Sequence, residues 1–186
     1  MIVGIDEVGR GCLAGPLVAG AVLLEKPIAG LRDSKLLSRK RREELDIIIR
    51  QEALALGLGW VTARELDRLG MTKAVRLAMR RALSFITQPY ERIIIDGNFN
   101  FLRTVPKTEV LIRADDLIPA VSAASIIAKV ARDRYMIEAA EKHTKYGFES
   151  NVGYATLEHR MALQQHGICA LHRRSFRPVH DVLATI

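Results

Sequence analysis

Residues 2–11, IVGIDEVGRG, place two adjacent acids between an apolar run and a glycine-rich turn. The run IVGID (2–6) is short, apolar and partly β-branched, which favours a β-strand. The glycines within 9–11 favour a turn soon after it. The stretch therefore predicts a strand that delivers Asp6 and Glu7 to its end.

The next hundred residues alternate between strand-like and helix-like patterns. Residues AGAVLLE (19–25) predict a second strand that pairs with the first as a hairpin. A helix is predicted to begin after the cap residue Ser38 and to stop at Gly57. The run LGLGWVTA (56–63) predicts a third strand, and a further helix is expected over 63–86.

Acid-terminated strands and a long helix follow. ERIIIDGN (91–98) and TEVLIRADD (108–116) each predict a strand that ends in acids. Pro119 suits the first turn of a long helix that extends to about His143, and Thr156 is the expected cap of a shorter one. Strands that come first as a meander and then alternate with helices indicate an α/β or α+β class with a mixed sheet.

The acids that follow predicted strands form a candidate metal site. They are the Asp6-Glu7 pair, Asp96 and the Asp115-Asp116 pair. Oxygen ligands without His or Cys favour Mg²⁺ or Mn²⁺ over zinc, and two such ions can stabilise both the attacking and the leaving oxygen in phosphodiester cleavage. The alternative is that each acid is a solvated turn residue. Adjacent strand residues point to opposite faces, so Asp6 and Glu7 share one site only where the strand ends or bulges.

Composition bounds the partners and the compartment. The chain has 186 residues, 49% of them hydrophobic, which suits one compact domain or one domain with a small appendage. A net charge of +7 favours a polyanion such as nucleic acid, although a merely soluble basic domain is the alternative. Cys12 and Cys169 lack the number and spacing of a disulfide framework. With neither a signal peptide nor an apolar run of about 18–20 residues, we expect a cytoplasmic protein with no membrane partner.

Six blocks of sequence together identify a family. They are GIDEVGRG with LAGP (4–11, 13–16), DSKLLSRKRREEL (33–45), IIIDGN (93–98), RADDLIPAVSAASIIAKVARDR (113–134), NVGYAT (151–156) and HRRSF (172–176). In this order they strongly resemble type 2 ribonuclease H, the bacterial ribonuclease HII family. The resemblance covers essentially the whole chain. Departures from the residues usual in the family fall at Cys12, Gly70-Met71, Val152 and Ala155, and none of them removes a catalytic acid.

The resemblance implies a fold and a catalytic centre. The fold is α/β and ribonuclease H-like, a mixed sheet flanked by helices with a helical C-terminal extension. Residues 1–145 would form the catalytic core, and residues 146–186 a helical, substrate-contacting segment of the same globule. The catalytic and metal-binding residues implied are Asp6, Glu7, Asp96 and Asp115. In the family such acids bind two Mg²⁺ or Mn²⁺ ions, one activating the attacking water and the other stabilising the leaving 3′ oxygen.

Selection of RNA depends on the 2′-hydroxyl, the group that distinguishes the two backbones. The resemblance implies that the backbone of Gly9, Arg10 and Gly11 recognises this group together with Tyr154. Glycine lets the main chain approach a sugar closely, and a phenol can hydrogen-bond a hydroxyl. Without the resemblance, Tyr154 would be an ordinary core or surface tyrosine and the glycines an ordinary turn.

Four further positions are predicted to contact, or to lie near, nucleic acid. Ser34 and Lys35 resemble phosphate-contacting residues of the family, with a solvated surface lysine as the alternative for Lys35. Arg173 and Arg174 lie either near nucleic acid or in a solvated turn. In contrast, Asp133 lies four residues after Lys129 and is expected to form a helix ion pair rather than to bind metal.

The resemblance implies an endoribonuclease that acts as a monomer on RNA/DNA hybrids. It would also incise 5′ of single ribonucleotides in duplex DNA, as in ribonucleotide excision repair, leaving 5′-phosphate and 3′-hydroxyl ends. A DNA-cutting nuclease or transposase of the same broad fold is one alternative, against which the Gly-Arg-Gly turn and Tyr154 argue. Ribonuclease HIII normally carries an extra N-terminal domain, whereas the first strand here begins at Ile2. A basic hybrid-binding protein without catalysis is the last alternative.

Overall fold

A five-stranded mixed sheet forms the centre of the molecule. The structure, a computed structural model, describes residues 1–32 and 34–184, so Asp33 of the DSK block lies outside the described residues. The strand order is β3-β2-β1-β4-β5. The strands are β1 (Ile2–Val8), β2 (Leu17–Leu23), β3 (Ala55–Val61), β4 (Arg92–Asp96) and β5 (Thr108–Leu111). The first three are antiparallel neighbours, and β4 and β5 run parallel to β1, which confirms the predicted mixed sheet.

Helices cover both faces of this sheet. The α-helices of the described residues are α1 (Arg39–Glu52), α2 (Ala63–Leu69), α3 (Met71–Leu83), α4 (Ala114–Leu117), α5 (Pro119–Ala140), α6 (Phe148–Asn151), α7 (Leu157–His166) and α8 (Arg177–Leu183). α3 packs on one face, and α1 and α5 pack on the other. Within the described ranges, no helix is both long enough and apolar enough to cross a membrane.

Glycines let the two layers of helices approach the strands closely. A Cβ atom at Gly20 of β2 would collide with the backbone of Ala124 on α5. On the opposite face, a Cβ at Gly59 of β3 would collide with the backbone of Ala78 on α3. The helix axes can therefore lie nearer the sheet than side chains would allow, and this packing sets where α5 stands relative to the end of β1.

Two predicted helix boundaries were wrong. As predicted, Ser38 caps α1, since its side chain accepts a hydrogen bond from the Arg41 N–H. The helix ends at Glu52, however, rather than at Gly57. Ala55 and the residues after it pair with β2 instead, so tertiary pairing overrides the helical pattern. The helix expected over 63–86 is divided at Gly70, whose φ of 75° is not helical.

The chain reverses direction between β5 and α5. β5 ends at Leu111, and Arg113 then adopts a left-handed conformation with φ 58°. Asp115 and Asp116 consequently lie in the short helix α4 and not at the end of a strand, which corrects the sequence-based prediction. α5 begins at Pro119 as predicted.

A buried arginine joins the C-terminal segment to the rest of the fold. The guanidinium of Arg132 on α5 donates to the carbonyl oxygens of Pro16 (2.9 Å), Ala14 (3.1 Å) and Val152 (2.9 Å). Its side chain is fully buried. The connection between β1 and β2 and the segment that follows α6 are therefore held by the same side chain. The predicted cap Thr156 begins α7 by accepting a hydrogen bond from the His159 N–H.

Candidate active site

Asp6 and Asp96 lie at matching positions on the neighbouring strands β1 and β4. β1 and β4 are parallel, and their last paired residues are Ile5 and Ile95. The next residue of each strand is an acid, so the two carboxyl groups share one edge of the sheet. Asp6 is buried, and burial together with the charges of Glu7 and Asp96 raises its pKa from 3.8 to about 8. Like charges are thus gathered at this edge around the buried Asp6.

Glu7 belongs to the same cluster without a bulge in the strand. β1 pairs regularly with β2 through Val8, so the predicted departure from strand geometry is not present on that side. The Glu7 Oε1 atom accepts a hydrogen bond from Arg10 Nη1 at 3.0 Å, while Oε2 is buried without a hydrogen-bond partner. Burial and the charge of Asp96 raise the pKa of Glu7, and Arg10 opposes them.

Asp115 reaches this edge from α4. The Asp96 Oδ1 atom accepts a hydrogen bond from the Ala114 N–H at 2.8 Å, which fixes the start of α4 against the end of β4. Asp115 is the next residue and is buried. Its backbone carbonyl accepts from the Ser122 hydroxyl at 2.6 Å, so α5 also fixes its position.

Ser34 and Lys35 lie beside these acids in a short 3₁₀ turn. Lys35 Nζ is 3.8 Å from Asp115 Oδ2, and its side chain is largely exposed. The Ser34 hydroxyl is buried and lies 2.9 Å from that of Ser125, which in turn hydrogen-bonds the carboxyl group of Asp6. Lys35 therefore faces the solvent at the site, whereas Ser34 packs behind it.

The acidic edge, defined as Asp6, Glu7, Asp96 and Asp115, suits hard divalent cations. Within 1–32 and 34–184, no three carboxylate, histidine or cysteine side chains converge tightly enough to hold an ion as they stand. Arg10 binds one carboxylate oxygen of Glu7, Oε1, and the Ala114 N–H binds one of Asp96, Oδ1. The donor set is entirely oxygen, and the buried Glu7 Oε2 lacks any donor. These residues fit Mg²⁺ or Mn²⁺.

The Gly-Arg-Gly turn (Gly9-Arg10-Gly11) adjoins the acidic edge and is held from behind. Arg173 Nη1 donates to the Arg10 carbonyl, and Arg173 Nε donates to that of Gly15, both at 3.1 Å. At Gly11 a Cβ atom would meet nothing within 4 Å, so the front of this residue is open. The turn is a supported backbone with a free side that another molecule can approach.

Tyr154 lies next to this turn. The Leu13 N–H donates to the Gly153 carbonyl at 2.9 Å, so residues flanking the turn and the tyrosine pair directly. The ring lies 5.2 Å from Lys129 Nζ, and the residue is 38% exposed. Burial, with a smaller contribution from the neighbouring Cys12, raises the pKa of Tyr154 to about 12. The phenol therefore keeps its proton and can donate it in a hydrogen bond.

Three buried polar residues support these elements, a role that the sequence did not predict for any of them. Arg173, placed near nucleic acid or in a solvated turn, is fully buried. His159 and His172 are also buried, with their Nε2 atoms 3.1 Å apart. The HRRSF block marked this region, but no spacing pattern connects residues 159 and 172. By contrast, the predicted ion pair of Lys129 and Asp133 is confirmed at 2.9 Å.

The mixed sheet and the acids at the shared edge of β1 and β4 define a hydrolase of the ribonuclease H class. Ribonuclease H2 from Pyrococcus horikoshii has a similar structure, with a TM-score of 0.85, 26% sequence identity and coverage of 99% of this chain and 97% of that chain. Bst-RNase HIII in complex with Mn²⁺ shares the fold at 20% identity, with a TM-score of 0.76 and coverage of 99% of this chain and 69% of that one.

Sequence comparison defines the family. The model of the family described as ribonuclease HII matches residues 3–179. The ribonuclease HII of Polaromonas sp. is 46% identical over 185 residues, which are 98% of this chain and 92% of that protein. The ribonuclease HII of Paracidovorax citrulli is 48% identical over 181 residues, 96% of this chain and 75% of that protein. The chain belongs to the ribonuclease HII family and is a ribonuclease H, an endonuclease that hydrolyses RNA in RNA/DNA hybrids.

Proposed function

We propose that the chain, beyond acting on hybrids, incises 5′ of single ribonucleotides embedded in duplex DNA. Cleavage would leave a 5′-phosphate and a 3′-hydroxyl. The observation that carries this proposal is the adjacency of the acidic edge to the Gly-Arg-Gly turn and Tyr154. A site that recognises one 2′-hydroxyl next to the reacting phosphate needs only one ribonucleotide, not a run of RNA.

Asp6, Glu7, Asp96 and Asp115 would hold two Mg²⁺ or Mn²⁺ ions. When bound, these ions supply an activated water and stabilise the charge on the leaving 3′ oxygen. Burial, together with the like charges of Glu7 and Asp96, raises the pKa of Asp6, and cation binding is favoured because a cation relieves this repulsion. The exposed Lys35 supplies a positive charge 3.8 Å from Asp115, and it would contact a phosphate of the substrate.

The turn and the tyrosine would distinguish ribose from deoxyribose. The open side of Gly11 lets the backbone approach the sugar without a side chain in the way. Tyr154 keeps its proton, so its hydroxyl can donate to the oxygen of a sugar or phosphate. Residues 1–145 would thus supply the acids, and the segment 146–186 would supply the tyrosine that checks the junction.

The direct test uses a labelled DNA duplex that contains one ribonucleotide. We expect incision 5′ of the ribonucleotide with Mg²⁺ or Mn²⁺, none with EDTA, and none from the Asp96→Asn variant. An all-DNA duplex of the same sequence is the control. Absence of incision, or incision that survives Asp96→Asn, would overturn the proposal, and metal-independent binding without cleavage would favour a binding protein.

A second variant tests the tyrosine itself. We expect Tyr154→Ala to reduce cleavage at a single ribonucleotide more than it reduces duplex binding, because the phenol contacts one sugar while the basic surface contacts many phosphates. Cleavage and equilibrium binding should be measured on the same duplex. Equal losses in the two measurements would contradict this role for Tyr154.

A further inference from the structure

The loop between β4 and β5 begins at the acidic edge and has a fixed shape. Within it, the Asn100 side chain accepts from the Leu102 N–H at 2.8 Å and donates to the Thr108 carbonyl at 3.4 Å. Arg76 of α3 donates to the Phe101 carbonyl at 3.1 Å, which attaches the loop to the sheet-covering helix. The side chains that this loop presents are therefore positioned before any partner arrives.

Two aromatic rings on this loop are each in contact with the guanidinium group of an arginine. Phe99 and Phe101 meet edge to face, with ring centroids 4.8 Å apart. The Arg103 guanidinium lies 5.0 Å from the centroid of Phe99, and that of Arg10 lies 5.7 Å from the centroid of Phe101. A guanidinium held on an aromatic face loses little of its donor capacity, because its N–H groups point outward in its own plane.

Arg10 and both rings line an open pocket of about 250 Å³ together with Met71 and Thr72, and Arg103 lies against one of these rings, that of Phe99. Within the part of the chain that the structure describes, Arg103 has no carboxylate within 4.0 Å, and Arg10 pairs with Glu7 alone. Phe99 is 39% exposed, a large fraction for a phenylalanine. The surface therefore combines positive charge with exposed aromatic area directly beside the candidate active site.

We propose that Arg103 on Phe99, together with Arg10 on Phe101, forms a phosphate clamp for the backbone of the substrate duplex beside the cut. This inference rests on the proposed function. Planar guanidinium groups match phosphate oxygens in geometry and charge. The bases of a duplex are stacked and unavailable to the rings, so the phenylalanines act by bracing the arginines and contacting sugars. Because the loop follows Asp96 directly, the phosphates held here flank the scissile one.

The test compares the effects of replacing two exposed arginines, one in the loop and one in α3. Arg103→Ala is the clamp variant, and Arg80→Ala, in the last turn of α3, is the control with the same change in charge. Both are made in the Asp96→Asn background with Mg²⁺ so that the single-ribonucleotide duplex stays intact. For Arg103→Ala we expect affinity to fall about fivefold and the slope of log K against log salt to decrease by about 0.9, the value for one lost phosphate contact. Arg80→Ala should leave the slope unchanged.

Two further variants separate the charge from its bracing. Arg103→Lys keeps the charge, so the salt slope should return to that of the parent while affinity recovers only in part. Phe99→Leu keeps Arg103 but removes the ring beneath it, and we expect the same pattern. Melting temperatures check that each variant is folded.

Trimmed duplexes locate the contact. If the clamp holds one flank, the effect of Arg103→Ala disappears when the duplex is shortened on that side of the ribonucleotide and persists when it is shortened on the other. Equal effects of Arg103→Ala and Arg80→Ala, or an effect that survives both truncations, would overturn the clamp. Cleavage by the unmodified protein is assayed separately, so a failure of the proposed function is distinguished from a failure of the clamp.

Discussion

The Nε2 atoms of His159 and His172 lie 3.1 Å apart, and their hydrogen bonds define a single arrangement of protons. The Cys169 N–H donates to His172 Nδ1 at 2.9 Å, so that nitrogen carries no proton and His172 Nε2 carries one. His172 therefore donates to His159 Nε2. His159 in turn must donate through Nδ1 to the Tyr154 carbonyl, at 2.8 Å. Both imidazoles are neutral, and the chain of bonds ends on the backbone of the predicted ribose-recognising tyrosine.

This pair should make the protein sensitive to acid. Burial and the neighbouring His159 lower the pKa of His172 from 6.5 to about 4, and burial also lowers that of His159. Because the folded pKa is depressed, the stabilisation is present above pH 6.5 and is lost as pH falls toward 4. We expect the free energy of unfolding, measured with urea, to decrease on the order of 2–3 kcal/mol across this range through His172.

The His172→Asn variant separates this effect from general acid denaturation. Asparagine can still accept from the Cys169 N–H but does not titrate, so the decrease in stability between pH 6.5 and about 4 should be smaller than in the parent. The exposed His166, replaced by glutamine, is the control and should leave the decrease unchanged. Identical pH profiles for the parent and His172→Asn would contradict the assignment.

Arg173 should affect cleavage more than binding. Its fully buried guanidinium donates to the carbonyl of Arg10 in the Gly-Arg-Gly turn, and it lies outside the space that a Cβ atom at Gly11 would meet. We expect Arg173→Lys to lower the cleavage rate at a single ribonucleotide roughly tenfold, about the value of one hydrogen bond to a charged group. Duplex affinity should change little. The exposed neighbour Arg174, changed to lysine, is the matched control, and equal effects of the two substitutions would count against this role.

The ionised carboxyl group of Asp6 should lower the free energy of unfolding of the metal-free protein. Its pKa is raised from 3.8 to about 8, so the folded state retains a proton that the unfolded chain loses, and stability decreases as pH rises across this interval. In EDTA at pH 8, we expect Asp6→Asn to increase the free energy of unfolding by roughly 1–2 kcal/mol, the size common for a single stabilising change. The variant should be inactive. If Asp6→Asn is less stable than the parent, the Asp6 carboxylate does not destabilise the metal-free fold.

Gly11 and Gly20 should respond oppositely to alanine. At Gly20 the added Cβ collides with the backbone of Ala124, and we expect a loss of about 1–3 kcal/mol from overpacking. At Gly11 the Cβ meets nothing, so thermal stability should be retained, yet the methyl group would stand where a sugar must approach. Gly11→Ala should therefore reduce cleavage without unfolding. If Gly11→Ala cleaves normally, close backbone approach at this turn is not needed.

The sequence predicted those features that local patterns determine. The two apolar runs that each end in an acid correctly predicted β1 and β4, and Pro119 correctly predicted the start of α5. The placement of Asp115 in a helix was missed because it depends on the left-handed turn at Arg113, which no composition signal marks. Arg173 was missed for a different reason, since a basic residue in a basic stretch suggests exposure, and its burial depends on carbonyls more than 150 residues away in sequence.

The buried guanidinium of Arg132 has a consequence for how the molecule opens. If the segment after α6 were to separate locally, the Arg132 guanidinium would lose the Val152 carbonyl as an acceptor while remaining buried in the protein. Partial opening at this point is therefore costly, and the segment should detach only when the whole core melts. Amide protons of α7 and of β2 would then exchange with deuterium at rates set by one shared global event.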